Sequence, residues 1–436
     1  MPLHDDEMNK RREKREAQRR RQQAEAKRLK LMLILAAVVL VLCGVGIFKL
    51  TQNVGAEEEQ VQAVIATEAP TEAPTATSPV QKDPVTTIPI KAAGARNVTD
   101  SVVAAGLVAS GYDYSRAFQD VAAILADADL TVLNFEGNVC GAPYGSETTS
   151  APIELLNGLR NAGVDLLQMA NSCTINNGMI GMTSTLQAIR SAGIEPLGAY
   201  ATAEEFRNAK GYTITEVQGV KVAFVAFTKG LGGRGMPAGN EDLVNLLYTD
   251  YATEYKEVDK ERITAILKNG ETENPDVTIA MVHWGSEYND DISKTQNSIV
   301  SLMQKNGVDV IIGTHPHTLQ PIVYDQAAGT LVAYSLGDFF GDAERGGTNY
   351  SIILDVEITK DSNAGTTKVT DYSYTPIFTV KETEIPDEKR RVVRIDSAIE
   401  AYNDNYLDKI TKTCASDMEY ALTRIEDRLV MKEEDD

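Results

Sequence analysis

From about Asn97 onward, short runs of aliphatic residues alternate with stretches whose apolar positions fall three and four apart. The runs "SVVAAGLVA", "ADLTVLNF", "VDLLQMA", "VKVAFVAF", "DVTIAMVHW", "VDVIIG", "LVAYSLGDF" and "YSIILDVEI" read as strands. Several are apolar on both faces, as strands buried between layers are. Between them, "SRAFQDVAAILADA", "IELLNGLRNAG", "MTSTLQAIRSAG" and "SKTQNSIVSLMQKNG" carry helical spacing, and the last three end on a glycine just before the next strand. Alternation of this kind predicts an α/β fold. Farther on, between Ile395 and Val430, the positions Leu407, Ile410, Cys414, Met418, Leu422, Ile425 and Leu429 mark an amphipathic helix, either folded back on the same domain or meeting a partner, the former being expected.

Before Asn97 the pattern is different. Leu31 to Phe48, "LMLILAAVVLVLCGVGIF", contains no charge and is bracketed by Lys30 and Lys49. At 1.5 Å per helical residue it just reaches across a hydrocarbon core of roughly 30 Å, so it predicts one membrane-spanning helix. The segment that follows, rich in Pro, Thr, Ala and Glu, shows no sustained apolar period and reads as a disordered stalk. The expected organisation is a basic arm (1–30), a transmembrane helix (31–50), a stalk (51–96), a folded domain (97–385) and a C-terminal helical extension (386–436).

Charge sharpens this picture. The whole chain carries a formal −21, yet residues 1–30 hold eleven basic and six acidic side chains, which leaves −26 on the remainder. So acidic a body disfavours nucleic acid as a partner. The basic flank before the apolar run places the N-terminus in the cytoplasm and the folded domain outside the cell membrane.

Ligand sites in open α/β sheets collect where strands end. There the sequence places Asn134 and Glu136, then Asn171, Ser172 and Cys173, then His283, Trp284 and Glu287, then His315 and His317, then Gly337 and Asp338. Every histidine of the folded domain stands at such an end. Each has a plainer explanation: a His–Trp pair suits hydrogen-bonded packing, a proline between histidines sets a turn, and Glu136 suits a helix cap. Together they form a nitrogen-and-oxygen set suited to a divalent metal. Lys229, Arg234 and Arg345 lie in glycine-rich loops, either as anion contacts or as ordinary loop charges.

The words "ADLTVLNFEG", "NAGVDLLQMAN", "STLQAIRSAGIEPLGAY", "VHWGSEY", "GVDVIIGTHPHTLQP" and "YSLGDF", in this order, resemble the CapA family of poly-γ-glutamate capsule biosynthesis proteins over roughly Asp100 to Phe378. The resemblance implies a metallophosphatase-like layered α/β sandwich and a site for one or two divalent ions, Zn or Mn. Glu136, Asn171, His283, His315 and His317 would be its ligands, and His283 and His315 its catalytic members. It implies a role in making a cell-surface polymer, with that polymer or its synthesis machinery as partner, as a hydrolase or transferase. The alternative is a binding or scaffold protein that keeps the cleft without the reaction. Two departures favour the alternative. Leu107 stands where the family's opening strand carries a metal-binding aspartate, and Cys173 stands where a histidine is expected. Cys140 and Cys173 are then expected as a disulfide across the site mouth, as two free thiols, or, for Cys173, as a thiolate ligand.

Overall fold

The structure, a computed structural model, describes residues 84–384, 389–404 and 410–431. The basic arm, the expected membrane span and most of the expected stalk lie outside the described residues. Among those described, no helix is long and apolar enough to cross a membrane.

In chain order the elements are β1 (Val85–Asn97), α1 (Asp100–Gly106), β2 (Leu107–Val108), β3 (Gly111–Tyr112), α2 (Ser115–Ala126), β4 (Leu130–Glu136), α3 (Glu154–Asn161), β5 (Leu166–Gln168), α4 (Gly178–Ser191) and β6 (Glu195–Leu197). There follow α5 (Ala203–Ala209), β7 (Tyr212–Val217), β8 (Val220–Thr228), α6 (Lys260–Glu271), β9 (Val277–His283), α7 (Lys294–Lys305), β10 (Val310–Thr314), β11 (Leu319–Asp325) and β12 (Thr330–Leu336). Last come β13 (Asp338–Phe340), β14 (Tyr350–Asp361), β15 (Thr366–Val380), β16 (Arg391–Arg394), α8 (Ile395–Asn403) and α9 (Lys412–Leu429).

Two sheets carry the fold. One runs β16-β15-β14-β1-β4-β5-β6, with β13 also on β1; the other runs β11-β12-β10-β9-β8-β7. In β8 the period of two explains the doubly apolar pattern. Val222, Phe224 and Ala226 join the larger core, while Val225 and Phe227 join a second core with Ile263 and Ile266 of α6 and Ile299 and Met303 of α7. Helix α7 begins at a reciprocal capping box between Ser293 and Gln296 and buries Gln296, Ile299, Val300 and Met303, one face of a 3.6-residue period. A recurring aspartate begins the parallel strands. Asp165, Asp276 and Asp309 accept the backbone N–H of Thr131, Lys221 and Thr278 at 3.0, 2.8 and 2.8 Å, tying each strand start to its neighbour.

Three expectations need correction. The first concerns the stalk boundary: Val85–Asn97, assigned to the stalk up to residue 96, is a strand in the interior of the larger sheet, antiparallel to β14 and parallel to β4. Its buried apolar side chains are Ile88 and Ile90 and the small Ala92, Ala93 and Ala95, too slight an apolar signal beside Pro89, Lys91 and Arg96. A Cβ on Gly94 would stand 1.9 Å from the Gly337 carbonyl oxygen, so only glycine lets β1 and β13 join here. Secondly, "SVVAAGLVA" is mostly helix α1, started by Thr99, whose side chain accepts the Val102 N–H, with only Leu107 and Val108 extended. Its aliphatic run fits either element, and the cap decides. Finally, the C-terminal extension is strand β16 and two helices rather than one helix. Helix α9 buries Cys414, Met418, Ile425 and Leu429 in the main core, with Leu422 partly covered, while Leu407 lies outside the described residues.

Candidate metal centre

The strand order brings the carboxyl ends of β4, β9, β10 and β1 to one edge. β4, buried throughout, delivers Glu136, and β9 delivers His283 directly alongside Thr314 of β10. His315 and His317 follow β10 on a turn with φ of +94° and +60°, a left-handed backbone that costs an ordinary residue on the order of 1–3 kcal/mol. The turn leaves β10 beside Gly313, where a Cβ would lie 1.9 Å from the Tyr334 carbonyl oxygen and 2.5 Å from Trp284 Nε1. Trp284 Nε1 donates to that carbonyl at 2.9 Å, so the His–Trp pair is both packing and site: the indole fixes the backbone that carries the imidazole.

The three imidazoles converge. Ring centroids of His283 and His315 are 4.3 Å apart, and those of His315 and His317 are 6.0 Å apart. His283 Nε2 lies 3.4 Å from Glu136 Oε1, while its Nδ1 meets Thr228 Oγ1 at 3.0 Å. His317 Nδ1 meets Asp338 Oδ1 at 2.8 Å, which leaves Nε2 as the ring's other ligand atom. Ligand atoms of Glu287, His315 and His317 all lie within 4.8 Å of one another.

Electrostatics follow from burial and pairing. Burial alone would raise the Glu136 carboxyl, but His283 and His317, with the Asn134 amide at 2.8 Å, outweigh it and hold the pKa at about 2. Burial works against a charge on His317 as well, yet Asp338 overrides it and pushes that imidazole up to about 10. Burial first, then the neighbouring His283 and Lys229, drives His315 well below the ordinary range, so it is neutral and free to donate a lone pair. His283 Nε2 and His315 Nδ1 are buried without hydrogen-bond partners. Unsatisfied buried nitrogens each cost about 1–3 kcal/mol, and a cation at this point would satisfy them. The donor set therefore fits a divalent ion, whose binding would release the proton that Asp338 stabilises on His317.

Other expected members stand differently. The Asn171 amide ties its loop to β4: Nδ2 donates to Asn134 Oδ1 at 3.0 Å and to the Phe135 carbonyl at 2.8 Å, while Oδ1 accepts the Cys173 N–H at 3.0 Å. It shapes the loop after β5. Of the expected alternatives, Cys140 and Cys173 are two separate thiols and not a disulfide: Cys140 lies 3.5 Å from Ser150 Oγ and Cys173 3.7 Å from Ser172 Oγ. Burial and the nearby Glu136 carboxylate push the Cys173 thiol up to about 12, which disfavours a thiolate ligand. Leu107 is exposed in the small β2–β3 hairpin and does not occupy the aspartate's place. The opening strand is β1, running through Gly94 into Ala95, Arg96 and Asn97, none of them a carboxylate, and Asn97 Nδ2 lies 3.3 Å from His317 Nδ1.

A cleft of about 320 Å³ opens onto the site, lined by Ser172, Lys229, Tyr255, His283, Glu287 and His315. Lys229 donates to the Gly285 carbonyl at 2.6 Å and lies 4.8 Å from the centre of the Tyr255 ring. Arg234 is bonded to Asn176 at 2.7 Å, and Arg345 stacks 3.9 Å over Tyr288. Sequence reasoning noticed Glu287 and Asp338 at strand ends without assigning them to the site; it missed Thr228 and Asn97. For Glu287 the signal was its spacing of four residues after His283; for Asn97 none existed while β1 went unrecognised.

A mixed α/β sandwich that gathers imidazoles and glutamates at its strand ends defines a protein with a candidate divalent-metal cleft. Residues 72–343 match the family model described as "Bacterial capsule synthesis protein PGA_cap", and the chain belongs to that family. It is 28% identical over 240 residues to the capsule biosynthesis protein CapA of Bacillus anthracis, covering 53% of this chain and 54% of that one. It thus spans about half the length of that relative. With the PGA biosynthesis protein CapA of Bacillus subtilis (strain 168) it shares 28% identity over 281 residues, covering 62% and 67%. Among solved structures, a phosphatase from Mycoplasma pneumoniae overlaps at a TM-score of 0.42 with 14% identity, covering 67% of this chain and 94% of that one. The calcineurin-like phosphoesterase YfkN from Bacillus subtilis overlaps at 0.41 with 16% identity, covering 78% and 98%. Overlaps this loose carry nothing about activity.

Proposed function

We propose that this chain is a membrane-tethered protein whose folded domain works outside the cell in the making of a capsule-type polymer, poly-γ-glutamate or a related material, as a divalent-metal-dependent hydrolase or transferase. The convergence of Glu136, Glu287, His283, His315 and His317, with two buried ring nitrogens lacking partners, carries this reading. Glu287, His315 and His317 would hold an ion, with Glu136 and His283 beside it. Once bound, the ion supplies Lewis-acid polarisation of an ester, amide or phosphoryl centre. Thr228 and Asp338 fix the ring orientation of His283 and His317, and Lys229 sets a positive charge in the cleft where an anionic group of the polymer would lie. Family membership and the names of the relatives support the polymer. The uncharged run Leu31–Phe48 behind its basic arm supports the tether and its orientation.

Metal analysis of the purified chain beside a His315→Ala variant tests this. The expected result is bound Zn or Mn in the parent and loss in the variant, together with loss of capsule polymer in cells carrying only His315→Ala. A second reading, a scaffold that keeps the cleft without catalysis, is favoured by the missing carboxylate at the end of β1 and by the inward-turned Asn171. Equal, near-zero metal in both proteins, with polymer production intact in the variant, would leave that reading standing instead.

A further inference from the structure

We propose, building on the metal-site reading above, that the C-terminal segment beyond the family match positions the rim that presents Glu287, acting through Arg428 and Arg390. The family match ends at residue 343, so β16, α8 and α9 lie outside it. Yet both rim loops of the site are gripped by arginines from this segment. Arg428, in the last turn of α9, forms an ion pair with Asp290, three residues after Glu287, without a hydrogen bond at its Nη1. Arg390, just before β16, donates through Nη1 to the carbonyls of Gly341 and Asp342, in the loop that follows Asp338, and to Ser101 Oγ at 2.9 Å. The two gripped loops meet where Arg345 stacks on Tyr288, and Tyr288 in turn stacks on His317 with ring centroids 5.5 Å apart.

The loop after β9 needs such support. It leaves the strand through Gly285 at φ +72° and Tyr288 at φ +59° and has no regular structure of its own. From inside it is held by Gln320, which donates to the carbonyls of Asn289 and Asp291 at 2.9 and 3.1 Å, and by the Tyr288 N–H on the Pro316 carbonyl at 2.7 Å. Glu287 itself is exposed, unlike the buried His315 and His317, so its carboxylate is the ligand least fixed by packing. Arg428 supplies the outer contact. Its side chain is 15% exposed and that of Asp290 32%, a half-shielded pair at the edge of the site. Arg428 acts through Asp290, and so is a positioning residue.

The test is calorimetric titration of the full chain with Mn²⁺ alone, comparing the parent with Glu287→Gln, Arg428→Ala, Asp290→Asn, Arg428→Lys and the double variant Arg428→Ala/Asp290→Asn. Substituting residues that orient metal ligands typically lowers affinity 10- to 100-fold. Arg428→Ala and Asp290→Asn are each expected to weaken Mn²⁺ binding about tenfold, the double variant no further, and Arg428→Lys to recover most of the loss. The thermal midpoint of the metal-free proteins is recorded alongside. Should Arg428→Ala fail to fold, Asp290→Asn carries the comparison. Unchanged Mn²⁺ affinity in Arg428→Ala or Asp290→Asn, with Glu287→Gln weakened, overturns this proposal alone. No Mn²⁺ binding by the parent, or no effect of Glu287→Gln, overturns the metal-site reading and this proposal with it.

Discussion

Arg96 offers a quantitative test of how this fold treats charge. The side chain is fully buried on β1, and none of its three guanidinium nitrogens has a hydrogen-bond partner. Its company is the rings of Phe135 and Phe340, 5.5 and 5.9 Å from the guanidinium carbon. Burial lowers its pKa from 12.5 to about 9. At 1.36 kcal/mol per unit that is a gross cost of about 5 kcal/mol for keeping the charge in the folded state. Cation–π attraction returns roughly 1–2 kcal/mol. Arg96→Met keeps the apolar stem and removes the charge, so a net gain of about 3 kcal/mol is expected. In urea denaturation at 25 °C, with a slope near 3 kcal/mol/M, the midpoint should rise by roughly 1 M. The sign with pH is fixed as well. A base whose folded pKa is depressed is penalised fully below that folded value, so the gain should be equal at pH 6 and pH 8. A lower midpoint for Arg96→Met, or a gain that changes between those two pH values, would refute an uncompensated guanidinium in this core.

Two further substitutions probe the scaffold of the site. Burial raises the Asp309 carboxyl from 3.8 to about 6, against the pull of the Thr278 N–H, so its ionised form is penalised in the folded state. That penalty is absent well below pH 4, grows between pH 4 and 6 and is complete above; Asp309→Asn should gain up to about 3 kcal/mol at pH 8 and little at pH 4, read from paired urea titrations. Gly313→Ala places a methyl carbon 1.9 Å from the Tyr334 carbonyl oxygen and 2.5 Å from Trp284 Nε1, both fixed by their mutual hydrogen bond. It should cost about 3 kcal/mol or more and depress metal binding with stability; a thermal midpoint equal to the parent's would show that the β10–β12 contact is looser than described.

How much of this was legible in the sequence depended on side-chain size. β8, β9 and β10 announced themselves because both faces are covered, so Val, Ile, Phe and Met fill consecutive positions. β1 did not, because its positions 92–95 are alanine and glycine, with no room for a Cβ at Gly94, and a strand of small residues beside Pro89 looks like linker. Missing it displaced the comparison at the site from Ala95–Asn97 to Leu107. The histidines were readable as a group because strand ends are where polar residues interrupt aliphatic runs. The direction of the Asn171 amide was not, since it is set by backbone groups of Phe135 and Cys173 that the loop alone brings near. Nor was the grip of Arg428 on Asp290, which joins residues far apart in the chain with no pattern linking them.

The interior place of β1 bears on how the domain is built in time. β1 finds its parallel neighbour β4 soon after it is made, but its antiparallel partner β14, with Val85 opposite Asp361, comes from the far end of the fold. Until residues 350–361 exist, one edge of β1 from Val85 to Ala93 has nothing to pair with, and open edges recruit other chains. Closing so distant a pair is also slow. A nascent or truncated chain that stops short of β14 should therefore be the aggregation-prone species, and fragments meant for solution work need to run from before residue 85 through β14 at least.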